Sequence, residues 1–456
     1  MESFVTIQTG KRLFVLLGLF LFPILTGVFS DCQASTWQVT ADGIGDAPTI
    51  ESAIIQATDG DTVLVGPGRY HEDFSYLGKN LVVKSLLGPG STILDGSQED
   101  SSIVYFNNGE TNEAILEGFT LTGGKGTSSG GPQRDGGAIL ARDGSPIIQY
   151  NVIISNNASW GGGVFVGDEG GLDLEVPPSP IIRGNLFVGN DAYWGGGGLR
   201  IYTSTTIVEG NTFRGNRVER GDGGGLKSSI LRGSVTIRNN RFFDNDAGDK
   251  GGGLEVYGNQ SFAPTRYYIE DNLFVRNVAR GAGTGDSGAG GAMCLEETVG
   301  TVRSNTVYSN RGFGESPCGA GGVKFRGTHT DLLFTMNIIV MNESCGLACW
   351  SAVDATFGPN LLWSNELGDL GSGVRVCPEA WMDEAIVADP LFCNAESDDF
   401  RLATGTPAIH DGVLMGALPG EACDQQVTTH PTSWGTLKRR FLGAIEGQAS
   451  NGRVRN

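Results

Sequence analysis

The stretch GNDAYWGGGGLRIY, Gly189 to Tyr202, sets four consecutive glycines directly before an alternating run with the period of a β-strand. Glycine loses more backbone freedom on folding than any other residue, so such a block needs a structural or a chemical reason. The block recurs: GGGVFV begins at Gly161, GGGLKSSI at Gly223, GGGLEVY at Gly251, GGAMCLE at Gly290 and GGVKFRG at Gly321. Before each lies an asparagine that closes an apolar segment, as in NLFVGN, NTFRGN, NRFFDN and NLFVRN. These asparagines are Asn156, Asn190, Asn216, Asn245, Asn277, Asn310, Asn342 and Asn365, at intervals of 34, 26, 29, 32, 33, 32 and 23 residues.

No segment of helical period falls between the repeats, which excludes a helical solenoid. The L-x-x-L-x-L spacing of leucine-rich repeats is absent, and a propeller blade needs about 40 residues. A chain that turns once per repeat, stacking each strand about 4.8 Å from its predecessor, satisfies the intervals. The pattern therefore predicts an all-β fold, a parallel β-helix solenoid of about ten coils. In it the glycines supply a positive φ and a close backbone approach at the same turn of every coil. The asparagines stack there as an amide ladder, and Asn342 belongs to the ladder although it also opens one of three N-x-S matches, with Asn157 and Asn259. A phosphate-cradling loop would occur once and open a helix, which this block does not.

The paired motif, GG before Ala, Leu or Val and then F-x-x-N, resembles the repeats of polymorphic outer-membrane proteins. More broadly it resembles right-handed parallel β-helix proteins of the pectate-lyase-like superfamily. The resemblance runs from Trp37 to Leu402 and is strongest from Gly136 to Asn342. It implies the fold and a right-handed coil, and it leaves the activity open.

The ends differ from the repeats. Lys11 and Arg12 precede the apolar run LFVLLGLFLFPILTGVF, with small residues near Ser30, the pattern of a secretory signal over residues 1–34. Losing Glu2, Lys11 and Arg12 with it takes the formal charge from −19 to −20. That polyanion disfavours nucleic acid and anionic membranes. The solenoid is expected over 35–402, opening with an amphipathic helix that uses Ile50, Ala53, Ile54 and Ala57 to cover the first coil, with Thr49 as its cap. Residues 403–456 read as a terminal cap segment and a disordered tail. The segment from Val387 to Gly412 resembles the closing segment of bacterial surface β-helix proteins. Eight cysteines, six of them from Cys318 to Cys423, lack histidines at zinc-site intervals and read as disulfides of an exported chain, stapling the last coils and the cap.

β-Helix proteins include lyases, hydrolases, esterases and epimerases of acidic polysaccharides, but their signatures are absent. There is no G-H-G with paired aspartates and no D-P-H. The four histidines, His71, His329, His410 and His430, suggest no triad or metal cluster, and His71 reads as a solvated turn residue. Strand parity is more informative. If Ile139, Val164, Leu199, Leu226, Leu254, Met293 and Val323 point inward, the next positions point out: Leu140, Phe165, Arg200, Lys227, Glu255, Cys294 and Lys324. Arg142, Tyr202, Ser229, Tyr257, Glu296 and Arg326 point out two residues further on, and Trp160 and Trp194 precede their glycine runs. A face made of Trp160, Phe165, Trp194, Arg200, Tyr202, Lys227, Glu255, Tyr257, Glu296, Lys324 and Arg326 has the aromatic and charged character that holds sugars. The bland alternative is a solvated ladder, with Lys227 merely opposite Glu255.

Two functions remain open from the residues. One is a monomeric, non-catalytic secreted or cell-surface protein that binds extracellular polysaccharide or serves in adhesion. The other is a polysaccharide lyase or glycoside hydrolase acting on an acidic polysaccharide, with Arg200 or Lys227 as base in the lyase case. No cofactor is indicated. Calcium at Asp222, Asp249 or Asp286 is a minor alternative, since no D-x-D-x spacing repeats.

Overall fold

The computed structural model describes residues 34–128, 131–167, 177–202, 204–230, 233–258, 265–282, 290–313, 319–327, 329, 331–350, 353–371, 377–417 and 423. The leader, Asn259, Asp286, Cys318, His430 and the tail expected to be disordered lie outside the described residues.

Short β-runs separated by glycine and asparagine have too few residues to bury a face alone, so the strands of the coils pair in parallel with their counterparts one repeat later, apart from Thr127–Ser128, which pairs antiparallel with Arg134–Asp135. Four long sheets result, of 12, 11, 10 and 8 strands. In the ten-stranded sheet the register is Ile139, Val164, Leu199, Leu226, Leu254, Met293, Val323, and all seven are buried in the core. Inside the eleven-stranded sheet Phe187, Phe213, Phe242 and Phe274 stack with centroids 4.6, 4.8 and 4.6 Å apart.

The asparagine ladder runs unbroken from Asn156 to Asn365. From Asn190 onward each side-chain carbonyl accepts from the backbone N–H and the amide of the asparagine one coil earlier, as Asn245 Oδ1 does from Asn216 at 3.0 Å for both, while Asn156 Oδ1 accepts from the Gly124 backbone N–H. A second ladder, not expected, runs through Asn151, Asn185, Asn211, Asn240, Asn272, Asn305, Asn337 and Asn360. Every member sits five residues before its partner in the first ladder, so the offset was present in the sequence as N-x4-N.

The glycine block divides by task. Gly196 has φ +67°, and a Cβ on Gly197 would lie 2.4 Å from the Gly224 carbonyl oxygen of the next coil. Those positions are architecture, required by the turn and by the coil spacing.

Ile50–Gln56 forms the expected helix at the start, with Ile50, Ala53 and Ile54 buried and Thr49 closing a capping box with Ser52. At the far end Trp381 stacks on Phe357 at 4.5 Å and lies 5.3 Å from Phe325, ending the core, while Cys349–Cys377 staples this turn to the last strands. Residues 389–417 then return along the outer face of the eleven-stranded sheet. Phe400 packs with Phe243, Leu273 and Val275, and Arg276 donates to Asp398 at 2.8 Å. That contact explains why these outward positions are apolar. Cys393 pairs with Cys423, and Cys345 is also in a disulfide, whereas Cys294 is a buried free thiol. Such bridges form in an oxidising compartment. Among the described residues no helix is long and apolar enough to cross a membrane.

Candidate functional site

The outward column of the ten-stranded sheet has the expected register, Leu140, Phe165, Arg200, Lys227, Glu255, Cys294, Lys324. Its surroundings differ from expectation, because a solvent-facing surface was expected and the column is buried. Arg200 is 6% exposed, Glu255 2%, Cys294 0% and Lys324 3%. Elsewhere in the solenoid the outward charges do form exposed ladders: Arg238 pairs with Glu209 at 2.6 Å while 48% of its side chain remains in water. Burying charge costs several kcal/mol per ion, and a buried pair does little more for stability than an apolar substitute of the same shape. The column therefore points to a role other than joining coils.

Three layers of side chains build the site. Arg200 lies between the rings of Trp160 and Tyr202, at 5.1 and 5.3 Å from their centroids, and donates from Nη1 to Ser229 Oγ at 2.9 Å. Lys227 forms a short ion pair with Asp222 and sits 3.5 Å from Glu255 Oε2. That oxygen is buried and receives no hydrogen bond, so the Lys227 contact is Coulombic and not a geometric hydrogen bond. Lys250 ion-pairs with Glu296 at 3.6 Å, and Arg326 donates to the other oxygen of Glu296 at 2.6 Å. Lys324 lies 5.0 Å from the Trp350 ring, while Tyr202, Tyr257 and Arg326 keep part of their surface in water.

Trp160 and Trp194 each precede a glycine run in the sequence, but they are not equivalents on successive coils. The run at Gly195 is one glycine longer than those at Gly161, Gly223 and Gly251, and the positive-φ turn residue is Gly196, matching Gly161 at φ +65°. Trp160 is therefore in register with Gly195, and Trp194 is displaced by one residue to an exposed position with its ring edge against Tyr193 at 4.6 Å. Gly195 itself has no left-handed φ, but a Cβ there would lie 2.6 Å from Lys227 Cδ and 3.2 Å from the Trp160 ring. Three of the four glycines serve the coil, and the first leaves room for the site.

The sequence reading also passed over Lys250 as a site residue and considered Asp222 only as a calcium ligand. Both directly precede a positive-φ glycine, Gly223 and Gly251, in the place that Asp135 and Trp160 occupy on earlier coils. Asp222 Oδ2 is engaged by Lys227, and Oδ1 accepts from the Lys250 backbone N–H at 3.2 Å. No group of three or more His, Cys, Asp or Glu side chains among the described residues is arranged to hold a metal.

The two carboxylates around Lys227 are driven in opposite directions. Burial pushes Glu255 up to about 7, with Lys227 opposing and Asp222 adding to the rise. Asp222 is held below its ordinary range, because Lys227 and Lys250 outweigh its own burial. Burial pushes the Cys294 thiol up to about 12, which makes it an uncharged filler of the column. His329 is buried too, pushed down to about 4, and packs edge-on against Phe325 at 5.6 Å as a neutral core residue. His71 lies 3.7 Å from Asp95.

With this geometry in view, residues 93–293 match the family model described as "Right handed beta helix region". The chain carries a right-handed β-helix. A solved structure titled "The complex structure of XylC with xylose" is similar to this β-helix at 12% sequence identity, with 75% of this chain and 76% of that chain covered and a TM-score of 0.46. Among curated proteins none matches.

Proposed function

We propose that the β-helix is a secreted or cell-surface protein whose ten-stranded sheet binds an extended extracellular glycan. The observation that carries this reading is the buried column itself, in which Arg200 is clamped between Trp160 and Tyr202 in a solenoid whose other charge ladders lie in water. Aromatic faces take the C–H surface of a sugar ring, and charged groups fixed by one another present defined hydrogen-bonding positions to hydroxyls. Sheet registry repeats those positions at about 4.8 Å per coil, which suits a polymer.

A test must avoid residues whose loss disturbs the fold. Truncating Lys227 would leave the Asp222 and Glu255 carboxyls without their ammonium, at about 3–5 kcal/mol, and truncating Arg200 would open a gap between Trp160 and Tyr202, so those variants confound binding with stability. Tyr202, Tyr257 and Arg326 are half-buried, and Trp194 is exposed. Alanine at Tyr257 or Arg326 should weaken binding to a glycan panel in affinity electrophoresis while the melting temperature holds. Unchanged affinity in both variants refutes the reading.

A second reading is favoured by the split of Asp222 and Glu255. Two carboxyls near one ammonium, one held ionised and one retaining its proton near neutrality, are the arrangement a glycoside hydrolase needs for base and acid. Release of reducing ends by the parent, lost in Glu255→Gln with binding intact, would favour the hydrolase; binding without product favours the recognition module.

A further inference from the structure

We propose that the glycan this face takes is uncharged, a neutral polysaccharide and not a uronate polymer; the inference rests on the glycan-binding reading above. An acidic sugar is held by a cation that is both within reach and able to turn to it. On this face the reachable cations are already committed. Arg326, 26% exposed at its side chain, is bound to Glu296, and Arg142, 23% exposed, is bound to Asp135 at 2.9 Å. Lys227 is shared by Asp222 and Glu255, and Lys250 by Glu296 and the charge of Asp222. Arg200 and Lys324 are deeply buried against aromatic rings, so a carboxylate in solvent does not reach them without moving Trp160 or Trp350.

The field of the whole chain acts in the same direction. At −19 overall, a polyanionic ligand meets net repulsion at long range, and only a local surplus of reachable positive charge would overcome it. The site has no such surplus, because the two cations with the most exposed side chains, Arg326 and Arg142, each face a carboxylate, and the others are buried or ion-paired. Hydroxyl groups are matched to this pattern. A hydroxyl both donates and accepts, so it bridges a guanidinium and a carboxylate that already face one another without displacing either.

The test uses the mature chain with two panels: neutral glucan, mannan, xylan and galactan, and acidic polygalacturonate, alginate and carboxymethyl cellulose. The expected result is binding to at least one neutral polymer about tenfold or more tighter than to any acidic one, with affinity nearly constant between about 0.05 and 0.5 M NaCl. Glu296→Gln, which takes the carboxylate from Lys250 and Arg326, should then create salt-sensitive binding to polygalacturonate that the parent lacks. Tighter binding of an acidic polymer by the parent, lost with salt, overturns the neutral-ligand inference and leaves the glycan-binding reading standing. Binding to neither panel overturns both. Neutral binding with no gain in Glu296→Gln refutes the claim that committed cations set the choice.

Discussion

Replacing Asn245 with leucine tests the internal ladder where its bonds can be followed one by one. Asn245 Oδ1 accepts from the Asn216 backbone N–H and from its amide, both at 3.0 Å, and the Asn245 amide donates to Phe213 O at 3.0 Å and to Asn277 Oδ1 at 2.9 Å. Leucine keeps the backbone N–H that donates to Asn277 Oδ1 at 3.1 Å and removes the rest. Two buried donors on Asn216 lose their acceptor, and Phe213 O loses its amide. At about 1–3 kcal/mol for each of the three orphaned buried groups, the loss is roughly 3–9 kcal/mol, several times the cost of about 1 kcal/mol or less for Arg238→Ala in the exposed ladder. A solenoid unfolds unit by unit, so hydrogen exchange read by mass spectrometry is the assay. Protection should fall first in peptides covering Thr212–Arg214 and Arg241–Phe243, with the denaturation midpoint lowered. Exchange and a midpoint equal to the parent's would refute the claim that the ladder bears on stability.

Three further outcomes follow from the geometry. Gly195→Ala, at an ordinary φ, should bend the Lys227 stem aside while its ammonium keeps the pair with Asp222, weakening glycan binding with the melting temperature near the parent's, whereas Gly196→Ala forces a side chain into φ +67° and should destabilise the fold by about 1 kcal/mol or more; equal melting losses in the two variants would contradict this division. Glu255 in the folded chain holds its proton above the ordinary value of 4.5, up to about 7, so its contribution is complete at low pH and is lost as pH rises through 7. Relative to Glu255→Gln, the parent should lose up to about 3 kcal/mol between pH 5 and 8, and parallel stability curves would show that the carboxyl is not desolvated. Removing the Cys349–Cys377 bridge, which spans a sequence separation of 28, should cost about 3–4 kcal/mol in the chain-entropy model and expose Trp381; Trp381 emission and protection of Leu332–Thr335 report it, and no change in either would mean that stacking on Phe357 alone closes the core.

Local periodicity was enough to determine the coil. The recurring asparagine and glycine positions are set by one turn geometry repeated at each rung, so Asn216, Asn245 and Gly196 could be assigned roles from spacing alone, and parity placed Leu199 inside and Arg200 outside. The second ladder was equally legible at an offset of five residues. Parity, however, says which way a side chain points and not whether water is there. That Arg200, Glu255 and Lys324 are buried, and that residues 389–417 lie along the outer face of the eleven-stranded sheet, depend on segments far apart in the chain coming together. The same holds for the charge states. Glu255 and Asp222 are ordinary acidic residues in the sequence, and their opposite shifts arise from burial and from the ammonium of Lys227 between them, neither of which exists until the coils are stacked.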